Sequence, residues 1–269
     1  FFTYGIFVLS LLTNATFIII STTTQSDHIG QYRYLMNVFA VTDVFVSITH
    51  LILMPGVQIG LDGYIFFGLH LINMPAYMGV WAGILFVVFF YQTFIILAFH
   101  YIYRYAVVCD PKWRRTFKNN TTFWWSLVAV LVQLLYTFTY YAVVQKPSSD
   151  PFQSDIWQVD AVVAMIVAVG LFGFTAVVIF ICTLLILRQL RFPTSSFLSA
   201  QMRATQHQLL TALIVQTLIP SIFSYIPLAT IFLVPCAGFD LRGIYGDLLI
   251  ILTAVFPALD PIIMLYFVR

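Results

Sequence analysis

The chain has 269 residues, of which 61 % are apolar and 8 % charged, with a formal net charge of +2 and a mean hydropathy of +0.97. A water-soluble domain carries about 25 % charged residues, so this chain has too little charge to face water as a globule and needs lipid as solvent for most of its surface. No nucleic-acid partner is expected of such a chain, and its 27 Phe and 15 Tyr suit lipid-facing and interfacial positions.

The apolar runs are long and continuous, which selects membrane-crossing helices over barrel strands, whose residues would alternate in polarity. Seven runs qualify. The first, residues 2–22, holds Asn14. The second, 34–59, holds Asp43, then His50 two turns later on the same face, then Pro55. The third, 77–103, carries Gln92 and His100 and leads into Tyr103-Arg104-Tyr105. The fourth, 123–144, contains Gln133, and the fifth spans 161–187. The sixth, 209–234, contains Gln216, Pro220 and Pro227, and the seventh, 246–268, contains Pro257-Ala258-Leu259-Asp260-Pro261. The prolines are read as tolerated kinks. Loops are short and no internal repeat is visible, so the expectation is an all-α, seven-transmembrane helix bundle forming a single domain over residues 1–269.

Lys and Arg orient the bundle. Arg33, Arg104, Lys112, Arg114, Arg115, Lys118, Arg188, Arg191, Arg203 and Arg269 fall on one side, ten of the twelve basic residues; only Lys146 and Arg242 fall on the other. The basic side is therefore cytoplasmic, with the N-terminus extracellular and the C-terminus cytoplasmic. Of Cys109, Cys182 and Cys236 only the last lies near the outer side, so no extracellular disulfide is expected. No metal-ligand spacing appears. The sequons at Asn119, Asn120 and Asn14 fall in the cytoplasm or within a span and should go unused. The chain opens on Phe1 and stops at Arg269 without a tail, which reads as the core of a longer protein.

Ionisable groups inside a bilayer are costly and are functional candidates by default. Asn14, Asp43 and Asp260 can meet if spans one, two and seven are neighbours. Two carboxyl groups in a dry site would share a proton or hold a small cation; alternatively each makes a structural hydrogen bond to a neighbouring helix. His50 and His100 read as satisfied core histidines, and Gln92, Gln133 and Gln216 as interhelical hydrogen-bonders. Arg104 is either a snorkelling anchor or a contact for a cytosolic partner.

These residues, in this order, resemble a G-protein-coupled receptor. Asp43 matches the span-two Asp of rhodopsin-like receptors, Tyr103-Arg104-Tyr105 stands where they carry Asp/Glu-Arg-Tyr, and Asp260-Pro261-Ile262-Ile263 stands where they carry Asn/Asp-Pro-x-x-Tyr. The chain is more similar still to nematode serpentine chemoreceptors of the Str class. Gln31-Tyr32-Arg33-Tyr34-Leu35-Met36 resembles their start of span two, and His100-Tyr101-Ile102-Tyr103-Arg104-Tyr105 with Cys109-Asp110-Pro111 their exit from span three. Gln216-Thr217-Leu218-Ile219-Pro220 and Pro257-Ala258-Leu259-Asp260-Pro261 resemble their spans six and seven. There are departures. Tyr103 replaces the acidic residue before the Arg, Met264 takes the place of the span-seven Tyr with Tyr266 following, and no cysteine begins span three. The second outer loop, about 145–160, is short.

The resemblance implies a ligand-activated receptor in the plasma membrane, placed in a sensory-neuron cilium, whose partners are a small-molecule ligand, a heterotrimeric G protein and the lipid bilayer. Expected ligand-binding residues are Tyr77, Trp81, Phe86 and Phe90 on span three with Phe223 and Tyr225 on span six; packing or lipid contact is the alternative for each. Span three has no charge above Arg104, so the ligand is expected to be small and largely neutral or volatile. Asn14, Asp43 and Asp260 form the expected polar switch. Arg104, Tyr105, Arg188 and Arg203, with the 112–118 loop, form the expected G-protein coupling surface; the positive-inside rule alone explains those loop charges equally well. No cofactor is expected: a retinal Schiff base needs an intramembrane Lys, and Lys112, Lys118 and Lys146 all lie in loops. The competing class is a transporter or channel using an Asp/His relay, and no enzyme site is legible.

Overall fold

A computed structural model of the chain describes residues 2–23, 32–60, 63–71, 73–109, 131, 133–135, 137, 154–155, 159–191, 200–238 and 244–268. Among these, six helices are long and apolar enough to cross a bilayer. Span one is Phe2–Thr23, span two Tyr32–Leu53, span three Ala76–Cys109, span five Val159–Arg191 and span seven Ile244–Val268. Span six is Ala200–Pro220, a π turn Ser221–Tyr225 and Ile226–Cys236. The expected span four lies outside the described residues except for helical residues at 131, 133–135 and 137; there Gln133 donates to the Val88 carbonyl of span three (2.9 Å).

Span two is shorter than its apolar run suggests. It stops at Leu53 because Pro55 has no N–H and disfavours helical backbone in the residue before it. Met54 takes a left-handed φ of 40°, its N–H still donating to the His50 carbonyl at 2.8 Å. Pro55 is thus no internal kink. It opens β1, Pro55–Gly60, which pairs antiparallel with β2, Gly63–Gly68, in the register Pro55↔Gly68 to Gly60↔Gly63. Alternating Val57, Ile59, Tyr64 and Phe66 supply the β-branched and aromatic residues strands favour. A third strand, β3 (Ser154–Asp155), comes from the connection between spans four and five and pairs with β2. This small sheet departs from a purely helical expectation. It ties Ser154–Asp155 to the hairpin by backbone pairing. A Cβ at Gly68 would lie 2.7 Å from Leu53 Cδ1 and 3.0 Å from its carbonyl, so a larger residue there would push the Leu53 side chain aside and crowd the end of span two.

Among the described residues two large apolar cores hold the helices together. At the end bearing Arg104, Phe39, Leu97, Tyr101, Ile186 and Leu213 pack among their neighbours. Towards the hairpin, Val46, Leu53, Ile219 and a set of aromatic rings form the second. Val57 of β1 packs with Ile231 and Ile250, seating the hairpin on spans six and seven. Spans three and six outrun their expected limits. Ala106 and Val108 remain buried past Tyr103 and carry the inward face on to Cys109, while the polar stretch from Ala200 is helical although its side chains hide it from a hydropathy reading.

Candidate ligand and coupling sites

Phe86, Phe90 and Phe94 recur every four residues of span three, so a helix sets them on one face. That face meets rings from four other spans. Phe94 lies 5.4 Å from Phe90, 5.0 Å from Phe172 of span five and 4.5 Å from Tyr225 of span six, centroid to centroid, and Phe90 lies 6.0 Å from Phe256 of span seven. Most of these pairs are T-shaped or tilted, the arrangement the ring quadrupole favours. Tyr91 approaches Phe172 at 4.4 Å, and His50 meets Phe86 edge-on at 5.7 Å beside the Ile250 backbone. Tyr225 is anchored by a 3.2 Å hydrogen bond between its hydroxyl and that of Thr175.

Below the rings lies a polar layer organised by the prolines of span seven. Pro261 has no N–H, so the Pro257 carbonyl four residues earlier loses its helical partner. Span one replaces it: Asn14 Nδ2 donates to that carbonyl at 2.8 Å and Ser10 Oγ at 3.3 Å, while Thr13 Oγ1 donates to the Ala258 carbonyl at 3.2 Å. Ser10 also shares a 2.7 Å hydrogen bond with Ser47 of span two. Gln216 Nε2 of span six donates to Asp260 Oδ2 at 3.1 Å. Asp43 is fully buried, and among the described residues neither of its carboxyl oxygens accepts a hydrogen bond; the second Asp260 oxygen is likewise without one. The two carboxyl groups are close enough to act on one another electrostatically. Among the described residues no three His, Cys or acidic side chains gather as a metal centre would require.

At the basic end, Arg104 is 4 % exposed and its Nη1 donates to Gln206 Oε1 of span six at 3.2 Å. One turn earlier the Tyr101 hydroxyl reaches span six as well, 2.8 Å from Thr217 Oγ1 and 3.3 Å from the Leu213 carbonyl. Spans three and six are therefore latched together at this end by uncharged acceptors.

Of the six expected ligand residues, Phe86 and Phe90 are buried in the aromatic core and Phe223 and Tyr225 pack against it. Tyr77 and Trp81 lie apart from it, 64 % and 58 % exposed on the outside of the helix. Asn14, Asp43 and Asp260 are all completely buried, and Asn14 and Asp260 bind span seven and span six respectively. Of the expected coupling residues, Arg104 is buried, Tyr105 is half-buried against the aliphatic core and Arg188 is exposed in the last turn of span five. Arg203 belongs to span six, and the 112–118 loop lies outside the described residues. Sequence reasoning missed Phe94, Phe172, Phe256 and Gln206. Phe94 continues the four-residue spacing of Phe86 and Phe90 and was available from it; Gln206 was hidden because span six was expected to begin after it.

The family model described as "Serpentine type 7TM GPCR chemoreceptor Str" matches residues 1–151 and 148–269. "Serpentine receptor class r-10" of Caenorhabditis elegans is 26 % identical over 276 residues, covering 91 % of this chain and 80 % of that protein. The protein of the same name from Caenorhabditis briggsae is 23 % identical with the same coverage. The crystal structure of squid rhodopsin superposes with a TM-score of 0.65 at 14 % identity, over 97 % of this chain and 79 % of that one, a likeness of fold.

Proposed function

The chain belongs to the Str family of serpentine seven-transmembrane G-protein-coupled chemoreceptors, and on that premise we propose that it is a ligand-activated receptor for a small, largely neutral or volatile molecule, signalling through a heterotrimeric G protein. The observation that carries this reading is a shared pair of helices. Spans three and six contribute Phe90, Phe94 and Tyr225 to the aromatic core at one end and Arg104 with Gln206 to the latch at the other. A ligand that binds better when the rings are rearranged shifts the bundle towards an arrangement in which the latch is open. The π turn in span six is where that helix can yield. The chain sits in the plasma membrane with its N-terminus outside, so the aromatic core faces the outer half of the bilayer and Arg104, Tyr105, Arg188 and Arg203 the cytosol. Asn14, Asp43, Gln216 and Asp260 form the switch layer between them.

The test is agonist-dependent G-protein activation in a heterologous cell, screened with volatile and neutral metabolites, with Arg104→Ala as the control. A saturable response that Arg104→Ala weakens at unchanged surface expression is expected. Ligand-linked current or uptake without G-protein activation would move a transporter or channel, running on Asp43 and Asp260, to first place.

A further inference from the structure

Most threonine hydroxyls described within the spans are spent on a carbonyl of their own helix. On span six alone, Thr217 donates to the Leu213 carbonyl at 2.7 Å, Ser221 to Thr217 at 2.7 Å and Thr230 to Ile226 at 2.8 Å, the usual bond to the carbonyl four residues back. Ser224, between them, is different. It is 0 % exposed, yet among the described residues its Oγ has no hydrogen-bond partner.

The backbone explains why. Ser224 stands inside the π turn Ser221–Tyr225, which is entered from Pro220 and closed by the Ile226 N–H reaching back five residues to the Ser221 carbonyl. Widening the turn moves the carbonyls out of the position in which an α-helix offers them to a serine hydroxyl. The same turn keeps Ser224 on the inward stripe of the helix, in line with the buried Gln216, Pro220, Pro227 and Ile231. Its neighbours Phe223 and Tyr225 both pack against the aromatic core. Other hydroxyls at that end are already engaged: Tyr225 with Thr175, and Thr253 with the Ile250 carbonyl at 2.7 Å. A buried hydroxyl without a partner is unfavourable, and a bound molecule that supplies the missing bond turns that cost into affinity.

We infer that Ser224 is a specificity-determining residue whose Oγ hydrogen-bonds the ligand, selecting small neutral molecules with one oxygen acceptor or hydroxyl on an otherwise apolar frame over hydrocarbons of the same size. The inference rests on the reading of the aromatic core as the ligand site. It deepens that reading by giving the site a polar end on span six, at the segment where the helix can yield.

The test uses the full chain purified in detergent, with thermal unfolding as readout and heptane, heptanol, butyl acetate and dipropyl ketone as probes. Without any probe, Ser224→Ala is expected to melt above the wild type, because it removes an unpartnered buried hydroxyl. A clearly lower melting point would show that the hydroxyl has a structural partner and would overturn the inference. In the wild type an oxygenated probe is expected to stabilise at about three- to tenfold lower concentration than heptane, the worth of one hydrogen bond. Ser224→Ala should erase that preference and Ser224→Thr should keep it. An equal response to heptane and all three oxygenated probes in the wild type, or a preference that survives in Ser224→Ala, overturns the inference. If the preference depends on Ser224 while none of these probes activates a G protein in cells, the binding role stands and the receptor reading loses its support.

Discussion

The two apolar cores of the bundle are built from different side chains. Towards the hairpin, six of the nine buried residues are aromatic, Phe86, Phe90, Tyr91, Phe94, Phe172 and Phe256. At the Arg104 end only Phe17, Phe39 and Tyr101 are, and Leu, Ile, Val, Met and Ala make up most of the rest. Flat rings meet in a few discrete geometries and cannot be deformed by small amounts, so an added molecule forces a choice between alternative packings. Branched aliphatic side chains refill space by rotamer changes and let one helix slide past another. The aromatic half is suited to discriminate and the aliphatic half to yield, with the polar layer of Asn14, Asp43, Gln216 and Asp260 joining them.

That contrast can be broken at graded cost. Phe94→Ala removes the ring that touches Phe90, Phe172 and Tyr225, and it should destabilise by about 3–5 kcal/mol, read as a fall in the melting temperature of the purified chain. Leu213→Ala, equally buried in the aliphatic core, should fall at the lower end of about 2–5 kcal/mol because its surroundings can close in. A larger loss for Leu213→Ala would reverse the assignment of stiffness. Asn14→Leu strips the Pro257 carbonyl of its best donor and should cost about 1–3 kcal/mol; a melting point unchanged from wild type would mean that Ser10 alone satisfies that carbonyl. Asp43→Asn removes one of two interacting buried carboxyl groups and should raise the melting temperature, by roughly 1–3 kcal/mol in stability. A fall instead would show that the carboxyl group is held by a favourable partner. The smallest effect is expected at the latch. Gln206→Ala removes one hydrogen bond from the Arg104 guanidinium, worth about 1.5 kcal/mol, the low end for a charged donor, and should raise ligand-independent G-protein activation severalfold. Gln206→Glu, which turns the bond to Arg104 into an ion pair, should lower it.

Hydropathy made the helical bundle legible, because each span must satisfy its own backbone in lipid and announces itself as an apolar run. What hydropathy could not separate was helix from strand where the run stayed apolar past a turn. Residues 55–59 continue the apolarity of span two but form β1, and Pro55 was the signal that outranked it. The start of span six shows the converse error, since polar residues from Ala200 onwards are helical. At the site, Asn14, Asp43 and Asp260 stood out as polar residues in lipid, but the carbonyl that Asn14 satisfies follows only from combining Pro261 with helix geometry and knowing that spans one and seven touch. Phe86 and Phe90 were visible by spacing. Phe172 and Phe256 were not, because one Phe among 27 carries no mark of which neighbour it will meet.

The division of labour between the two ends is tested most directly by G-protein activation curves for Phe90→Ala and Arg104→Ala, measured side by side with one agonist at matched surface expression. Phe90→Ala should shift the half-maximal concentration by about tenfold or more with the maximum largely retained, whereas Arg104→Ala should lower the maximum while agonist binding is kept. Loss of the maximum in both variants with no shift in potency for Phe90→Ala would contradict a bundle that senses at its aromatic end and responds at its basic one.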